Sequence, residues 1–189
     1  SPFVWWAVRP VEQYMARHFF PVSEVKSTEI ARAVLFDTTA APPATALIGP
    51  EYPINLTFGG ILELVGIDVP GDTARHPGDI LPISLLWQAH GTPLQDYTVG
   101  LFLVAKDGTV VAERHSFPVN GFGHTQYWRP QGYYRDNHGL QVPDAIAPGT
   151  YELWAIIYWW EAPEERLPVT DAAGVPQGDH AVLLTIMLE

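Results

Sequence analysis

The 189-residue chain contains no cysteine. Disulfides, thiolate zinc sites and a cysteine nucleophile are therefore excluded. The compartment stays open on this count, because a core of this size needs no covalent staple. Positive charge is also scarce: 10 Lys and Arg stand against 21 Asp and Glu, for a formal net charge of −11. So few cations cannot neutralise a run of phosphates, which argues against nucleic acid and anionic lipid surfaces as partners. Long apolar runs are missing as well. Although 47% of the residues are hydrophobic, no stretch approaches the roughly 20 apolar residues that cross a bilayer as a helix. There is no phosphate loop, no dinucleotide fingerprint and no Gly-x-Ser-x-Gly, so no cofactor is expected.

Proline and glycine, by contrast, are plentiful, and they fall between apolar runs rather than in a tract. That pattern suits many short strands joined by turns. The longest aromatic and β-branched run, Tyr151 to Trp160, follows the turn Pro148-Gly149-Thr150. With a period of two, Tyr151, Leu153, Ala155, Ile157 and Trp159 share one face, the expected core face. Trp154, Ile156, Tyr158 and Trp160 share the other and call for a cover, which the sequence suggests is Val11 to Phe20 or Phe3 to Trp6. From Ile54 onward seven principal strands are expected. They include Phe58–Ile67 with a bulge or bend at Gly59-Gly60, Leu81–Gln88, Tyr97–Leu103, a hairpin at Asp107-Gly108, and a last strand over Val182–Leu188. Pro82 marks an edge or a strand end. Tyr151, directly after its turn, resembles a tyrosine corner.

The fold class expected is all-β: an antiparallel β-sandwich, immunoglobulin-like with a jelly roll as the alternative, preceded by an N-terminal helical arm. Residues 1–53 form the arm, with a helix from Pro10 to about Phe20 bearing Val11, Tyr14, Met15 and His18 on one face, a short strand at Ala31–Phe36, and a proline-rich linker. Residues 54–189 form the sandwich. The chain opens on Ser-Pro and the apolar cluster Phe3-Val4-Trp5-Trp6, which reads as a cut piece of something longer, without the basic start of a signal peptide.

The stretch Gly121–Gly139 is the best candidate site, read as a turn-rich connection. It concentrates His124, Tyr127, Trp128, Arg129, Tyr133, Tyr134, Arg135, Asp136 and His138. Two readings stand side by side. Flat aromatic faces could stack on a pyranose while Arg and Asp bond its hydroxyls. Alternatively, Trp128 and Tyr134 plug the end of the sandwich and Arg135 and Asp136 tie the loop to backbone. Other clusters read more plainly. Seven histidines lack zinc-motif spacing, Asp68, Asp72 and Asp79 suit turns better than a calcium loop, and Glu161, Glu164 and Glu165 form an exposed acidic turn. No metal is expected. Asn55-Leu56-Thr57 matches a glycosylation sequon, a weak signal by itself.

The motifs also occur in a distinctive order. DILPISLLWQA precedes DYTVGLFLVAKDGTV, and HTQYWRPQGYYRDNHGLQVP, APGTYELWAIIYW and RLPVTDAAG follow. Over roughly residues 54–189 this succession resembles the soluble C-terminal sandwich of large multi-pass bacterial glycosyltransferases, the GT-C-type membrane enzymes that use polyprenyl-phosphate sugars. The matching positions are Trp87, Trp128 with Pro130 and Gly132, and Asp136. The turn reads Arg129-Pro130-Gln131-Gly132 where that pattern has a direct Pro-Gly, and the last aromatic strand is richer in tryptophan. VEQYMARHFFPVSEV resembles the segment by which such enzymes leave their membrane-proximal region. The catalytic carboxylates of those enzymes lie between transmembrane helices, so no catalytic residue carries over. The resemblance implies a non-catalytic, extracytoplasmic accessory domain that braces the membrane core or positions the glycan acceptor, tethered to the cytoplasmic membrane through an upstream transmembrane region of the same chain. A stand-alone carbohydrate-binding module is the alternative.

Overall fold

The computed structural model describes residues 9–26, 32–42, 49–71 and 74–189. Phe3 to Trp6 and Asp72 lie outside the described residues. Helix α1 (Pro10–His18) comes first among the described residues and leads into a two-stranded ribbon of β1 (Phe20–Lys26) and β2 (Arg32–Asp37). One large sheet then contains β3 (Tyr52–Phe58), β4 (Leu62–Asp68), β6 (Ile80–Ala89) and β9 (Tyr133–Gln141) as successive neighbours, extended beyond β3 by β12 (Val169–Thr170) and β13 (Pro176–Gly178). The other runs in the order β5 (Ala74–Arg75), β14 (Ala181–Leu188), β10 (Gly149–Trp159), β7 (Tyr97–Ala105) and β8 (Val110–Ser116), with β11 (Ala162–Arg166) also paired to β10. Neighbours run antiparallel except β14 and β5, which are parallel. Between β4 and β6 the chain touches the other sheet only through the two-residue β5, so the long strands β3, β4 and β6 are neighbours in one sheet, whereas the immunoglobulin constant plan sends its third strand across.

The two large sheets share one core. Phe58, Leu64, Ile83, Leu85 and Trp87 of the first lie in the same buried cluster as Leu101, Leu103, Leu153, Ala155, Ile157 and Ile186 of the second. Alternation along β6, β7 and β10 supplies these faces, while register shifts in β4 and β14 change which residues point inward. β10 is the centre of its sheet, paired with β7 from Tyr151↔Ala105 to Trp159↔Tyr97 and with β14 on its other side. The Tyr151 hydroxyl donates to the Ala147 carbonyl at 2.8 Å, which closes the corner entering β10.

Several expectations are corrected in detail. Gly59-Gly60 is not a bend within one strand but the turn of the β3–β4 hairpin. Both glycines have positive φ, 58° and 68°, and the Ile61 N–H reaches the Phe58 carbonyl at 3.1 Å, the signature of a tight primed turn. Pro82 lies on the overhang of β6 past the end of β4, whose pairing begins at Ser84, so it interrupts no ladder there. The helix ends at His18 rather than near Phe20, and its buried residue is Ala16, while Val11, Tyr14 and His18 are exposed.

The outer face of β10 is not covered by α1. The helix and β1 instead pack along β9, the edge of the other sheet. Gly139 allows this, because a Cβ there would sit 2.8 Å from Val22 Cγ2. Asn137 completes the junction by donating its Nδ2 to the carbonyls of Ala16 and Arg17, two of the unpartnered acceptors at the helix end. Ile156 is buried, at 4% exposure. It stands opposite Gly100, where a Cβ would come within 2.7 Å of Ile156 Cγ1, and beside it Phe102, His115 and Tyr158 form a run of edge-to-face rings. Trp154 stacks on His180 at 4.1 Å, and Trp160 remains exposed.

Candidate functional site

The second half of the candidate stretch is strand, not loop. Tyr133 to Gln141 pair with β6 throughout, from Gln88↔Tyr133 to Ile80↔Gln141. Asp and Asn are poor strand residues, which is why Arg135-Asp136-Asn137 reads as irregular. They are held in β9 because each polar side chain finds a partner. Alternation puts Tyr134, Asp136, His138 and Leu140 on the same inner face as their partners Trp87, Leu85, Ile83 and Leu81, and Arg135 and Asn137 on the outer face.

Two aromatics of the stretch are consumed by packing. Trp128 is only 3% exposed and stacks face to face on Tyr134, with centroids 4.3 Å apart and planes within 6°. The indole N–H donates to the Gly123 carbonyl at 3.0 Å, and the Tyr134 hydroxyl accepts the Arg129 N–H at 2.7 Å. This is the plug arrangement, with every polar atom of the pair spoken for. Arg129 itself is exposed and stands outside the groove lining.

The charged members of the stretch are tied in too. On the outer face, Arg135 donates to Asp68 at 2.6 Å and to the Ser84 hydroxyl at 3.2 Å. Asp68 also accepts the Glu51 N–H, which ties the start of β3 to the end of β4. Asp136 is fully buried: one oxygen accepts the Val119 N–H at 2.7 Å and the other meets His138 Nε2 at 2.7 Å. His138 Nδ1 in turn lies 3.4 Å from the Ser116 hydroxyl. His124 does not meet His138 but pairs with Asp96 at 2.8 Å, where Gln126 also binds. Thr125, between them, bridges the Gln95 carbonyl and the Tyr97 N–H, which pins the loop to the start of β7. Among the described residues no three His, Asp or Glu side chains gather to hold a metal ion. Asp79 caps the His76 N–H, and Glu161, Glu164 and Glu165 are exposed.

Around this scaffold lies an open groove of about 690 Å³. Six of the nine residues singled out from the sequence line it: His124, Tyr127, Trp128, Tyr133, Tyr134 and Arg135. Tyr127 is 74% exposed and Tyr133 52% exposed, so their ring faces are presented where those of Trp128 and Tyr134 are spent. Arg17 and His18 from the end of α1, with Val119 and Phe122, also line the wall. Sequence reasoning missed these because nothing in the pattern of α1 says that its last turn docks beside β9; Gly139 and Asn137 carry that information. The groove therefore combines exposed aromatic faces, a histidine oriented by a carboxylate, and guanidinium donors on a rigid strand and helix end.

No protein-family model matches the chain, and no curated protein matches it. Among solved structures it is similar to the crystal structure of the C-terminal domain of wzt, at 14% identity and a TM-score of 0.46, covering 74% of this chain and 80% of that one. The chemistry rests on the residues themselves.

Proposed function

We propose that this chain is a non-catalytic glycan-binding accessory domain, carried outside the cytoplasm by a membrane glycosyltransferase of the GT-C type. The observation that supports glycan binding is the pair of exposed rings, Tyr127 and Tyr133, at the groove of about 690 Å³. Flat apolar faces flanked by hydrogen-bonding groups suit a pyranose, which has apolar C–H faces and an equatorial rim of hydroxyls. Arg135, Arg17 and His124 supply that polar rim. The acidic balance of the chain disfavours nucleic acid in the same groove. The membrane-enzyme context rests on the motif order of residues 54–189, and the partner it names is an upstream transmembrane region of the same chain.

Two measurements test the two halves. Titrating the protein with a glycan panel, read by tyrosine and tryptophan fluorescence, is expected to give saturable binding that Tyr127→Ala with Tyr133→Ala abolishes. No response to any glycan overturns the binding half. Reading the coding sequence upstream of Ser1 is expected to reveal successive transmembrane helices. Their absence overturns the membrane-enzyme half and leaves a stand-alone carbohydrate-binding module.

A further inference from the structure

The turn that gives Val119 to the aromatic groove gives Asn120 and Gly121 to a second cleft, of about 610 Å³, on which Arg32, Arg114, Ser116, Phe117 and Tyr158 also open. This turn has an unusual backbone. Val119, Asn120 and Gly121 all have positive φ, at 53°, 50° and 91°. A β-branched residue is rarely found there, and such a conformation persists only where its surroundings over-determine it. Here they do. Asp136 holds the Val119 N–H, Arg114 donates to Asn120 Oδ1 at 3.2 Å, and Arg32 donates to the Asn120 carbonyl at 3.3 Å. The effect is to fix Asn120, only 4% exposed, in the wall of the cleft.

Three donors around this cleft have no acceptor: Asn120 Nδ2, Arg114 Nε and Arg32 Nε are buried and unpartnered among the described residues. Buried donors are normally satisfied, so a set of three on residues lining one cleft calls for a ligand that accepts. The charge balance says what kind. Arg32 is already held by Glu12 and, at 3.0 Å, by Glu24. Arg114 donates to the Val22 carbonyl and feels both Asp136 and Glu24, which oppose the lowering of its pKa by burial. With the guanidinium charges answered by carboxylates, the cleft has no surplus positive charge for a phosphate or carboxylate. It suits a neutral acceptor such as an amide carbonyl. Phe117 and the Tyr158 ring, whose hydroxyl is bonded to His115 Nδ1 at 2.9 Å, add apolar surface for a methyl group or a sugar face.

We infer that the second cleft is a subsite for a neutral sugar bearing an amide carbonyl, of the N-acetylhexosamine class, with Asn120 Nδ2 and Arg114 Nε as its donors. The inference rests on the reading of the chain as a glycan-binding domain and specifies which sugar it takes. It is tested on the ¹⁵N-labelled full chain by NMR titration with N-acetylglucosamine and N-acetylgalactosamine, against glucose and galactose as controls. The Asn120 side-chain amide and Arg114 Nε–H resonances are expected to shift saturably with an N-acetyl sugar and not with either parent hexose. Asn120→Asp keeps the Oδ1 acceptor for Arg114 but removes the donor, and is expected to weaken binding at least about tenfold, as for a lost buried hydrogen bond. Equal shifts with the parent hexoses, or undiminished binding in Asn120→Asp, overturn the subsite. Shifts confined to Tyr127 and Tyr133 also overturn it while leaving glycan binding intact. Silence everywhere, across sugars and residues, sinks both readings.

Discussion

Trp128 and Tyr134 lie within a few residues of Tyr127 and Tyr133, yet the two pairs do opposite things. The first pair is stacked at 4.3 Å with its polar atoms bonded to backbone, and Trp128 belongs to the core. The second pair is more than half exposed at the groove. Along β9 the division is simple alternation: Tyr134 faces the interior and Tyr133 faces away. In the preceding loop, the single 3-10 turn Thr125–Tyr127 leaves Tyr127 outside as Trp128 enters the core. Aromatic density in a sequence therefore marks two things at once, a packed foundation and the surface it supports. Only the second can meet a ligand.

The sharpest way to break that division is Trp128→Ala. Removing a buried indole from the core costs about 3–5 kcal/mol, and it also strips Tyr134 of its stacking partner. Chemical denaturation is expected to report this as a large fall in midpoint, with secondary structure kept below it. A loss under 1 kcal/mol would mean that the plug is dispensable and would return Trp128 to the candidate ligands.

Next in size is Asp136→Ala. The buried carboxylate anchors both the Val119 N–H and His138 and lies beside Arg114, so its removal orphans a donor and leaves a buried cation less compensated. A destabilisation of about 3 kcal/mol is expected. Asp136→Asn, which retains an acceptor for Val119, is expected to recover part of it in the same denaturation experiment. Equal stability of the two variants would show that the bond to the strained turn contributes nothing.

These residues also mark how far the sequence could be read. The long strands were legible because β7 and β10 alternate cleanly and Asp107-Gly108 forms the β7–β8 turn, with Gly108 at φ 85°. The groove was half legible, because residue type named Tyr127 and Tyr133 but could not separate them from Trp128 and Tyr134. Strand β9 was hidden, because Arg135, Asp136 and Asn137 favour turns until long-range partners such as Asp68, Val119 and Ala16 satisfy them. The same holds for the cover on β10. The aromatic face pointed to a lid, but α1 docks on β9 instead, and beside Gly100 the rings of Phe102, His115 and Tyr158 pack on one another within the sheet.

The exposed pair reverses the pattern of effects. Tyr127→Ala and Tyr133→Ala are each expected to change stability by no more than about 0.5 kcal/mol, as for surface positions outside the core. Glycan affinity should nevertheless fall tenfold or more if each ring stacks on a sugar, at about 0.5–1.5 kcal/mol per aromatic contact beyond area burial and more for the area itself. Variants that bind as well as the parent chain would move the site away from this groove altogether.

The smallest expected effect concerns Ser116. Ser116, His138 and Asp136 stand in the order of a hydrolytic triad, with Ser116 on the wall of the second cleft. Their surroundings assign them to the packed foundation instead. His138 is fully buried, whereas a general base must pass its proton on to a leaving group in the cleft. Its contact with Ser116, at 3.4 Å, is longer than the bonds that activate a nucleophile. The remaining oxygen of Asp136 is committed to holding the Val119 turn. A fluorophosphonate probe is therefore expected to leave Ser116 unlabelled, and Ser116→Ala to keep both fold and glycan binding. Stoichiometric labelling at Ser116, lost in His138→Gln, would show that polar residues of the foundation do chemistry, and the non-catalytic reading would fall with the division between the two aromatic pairs.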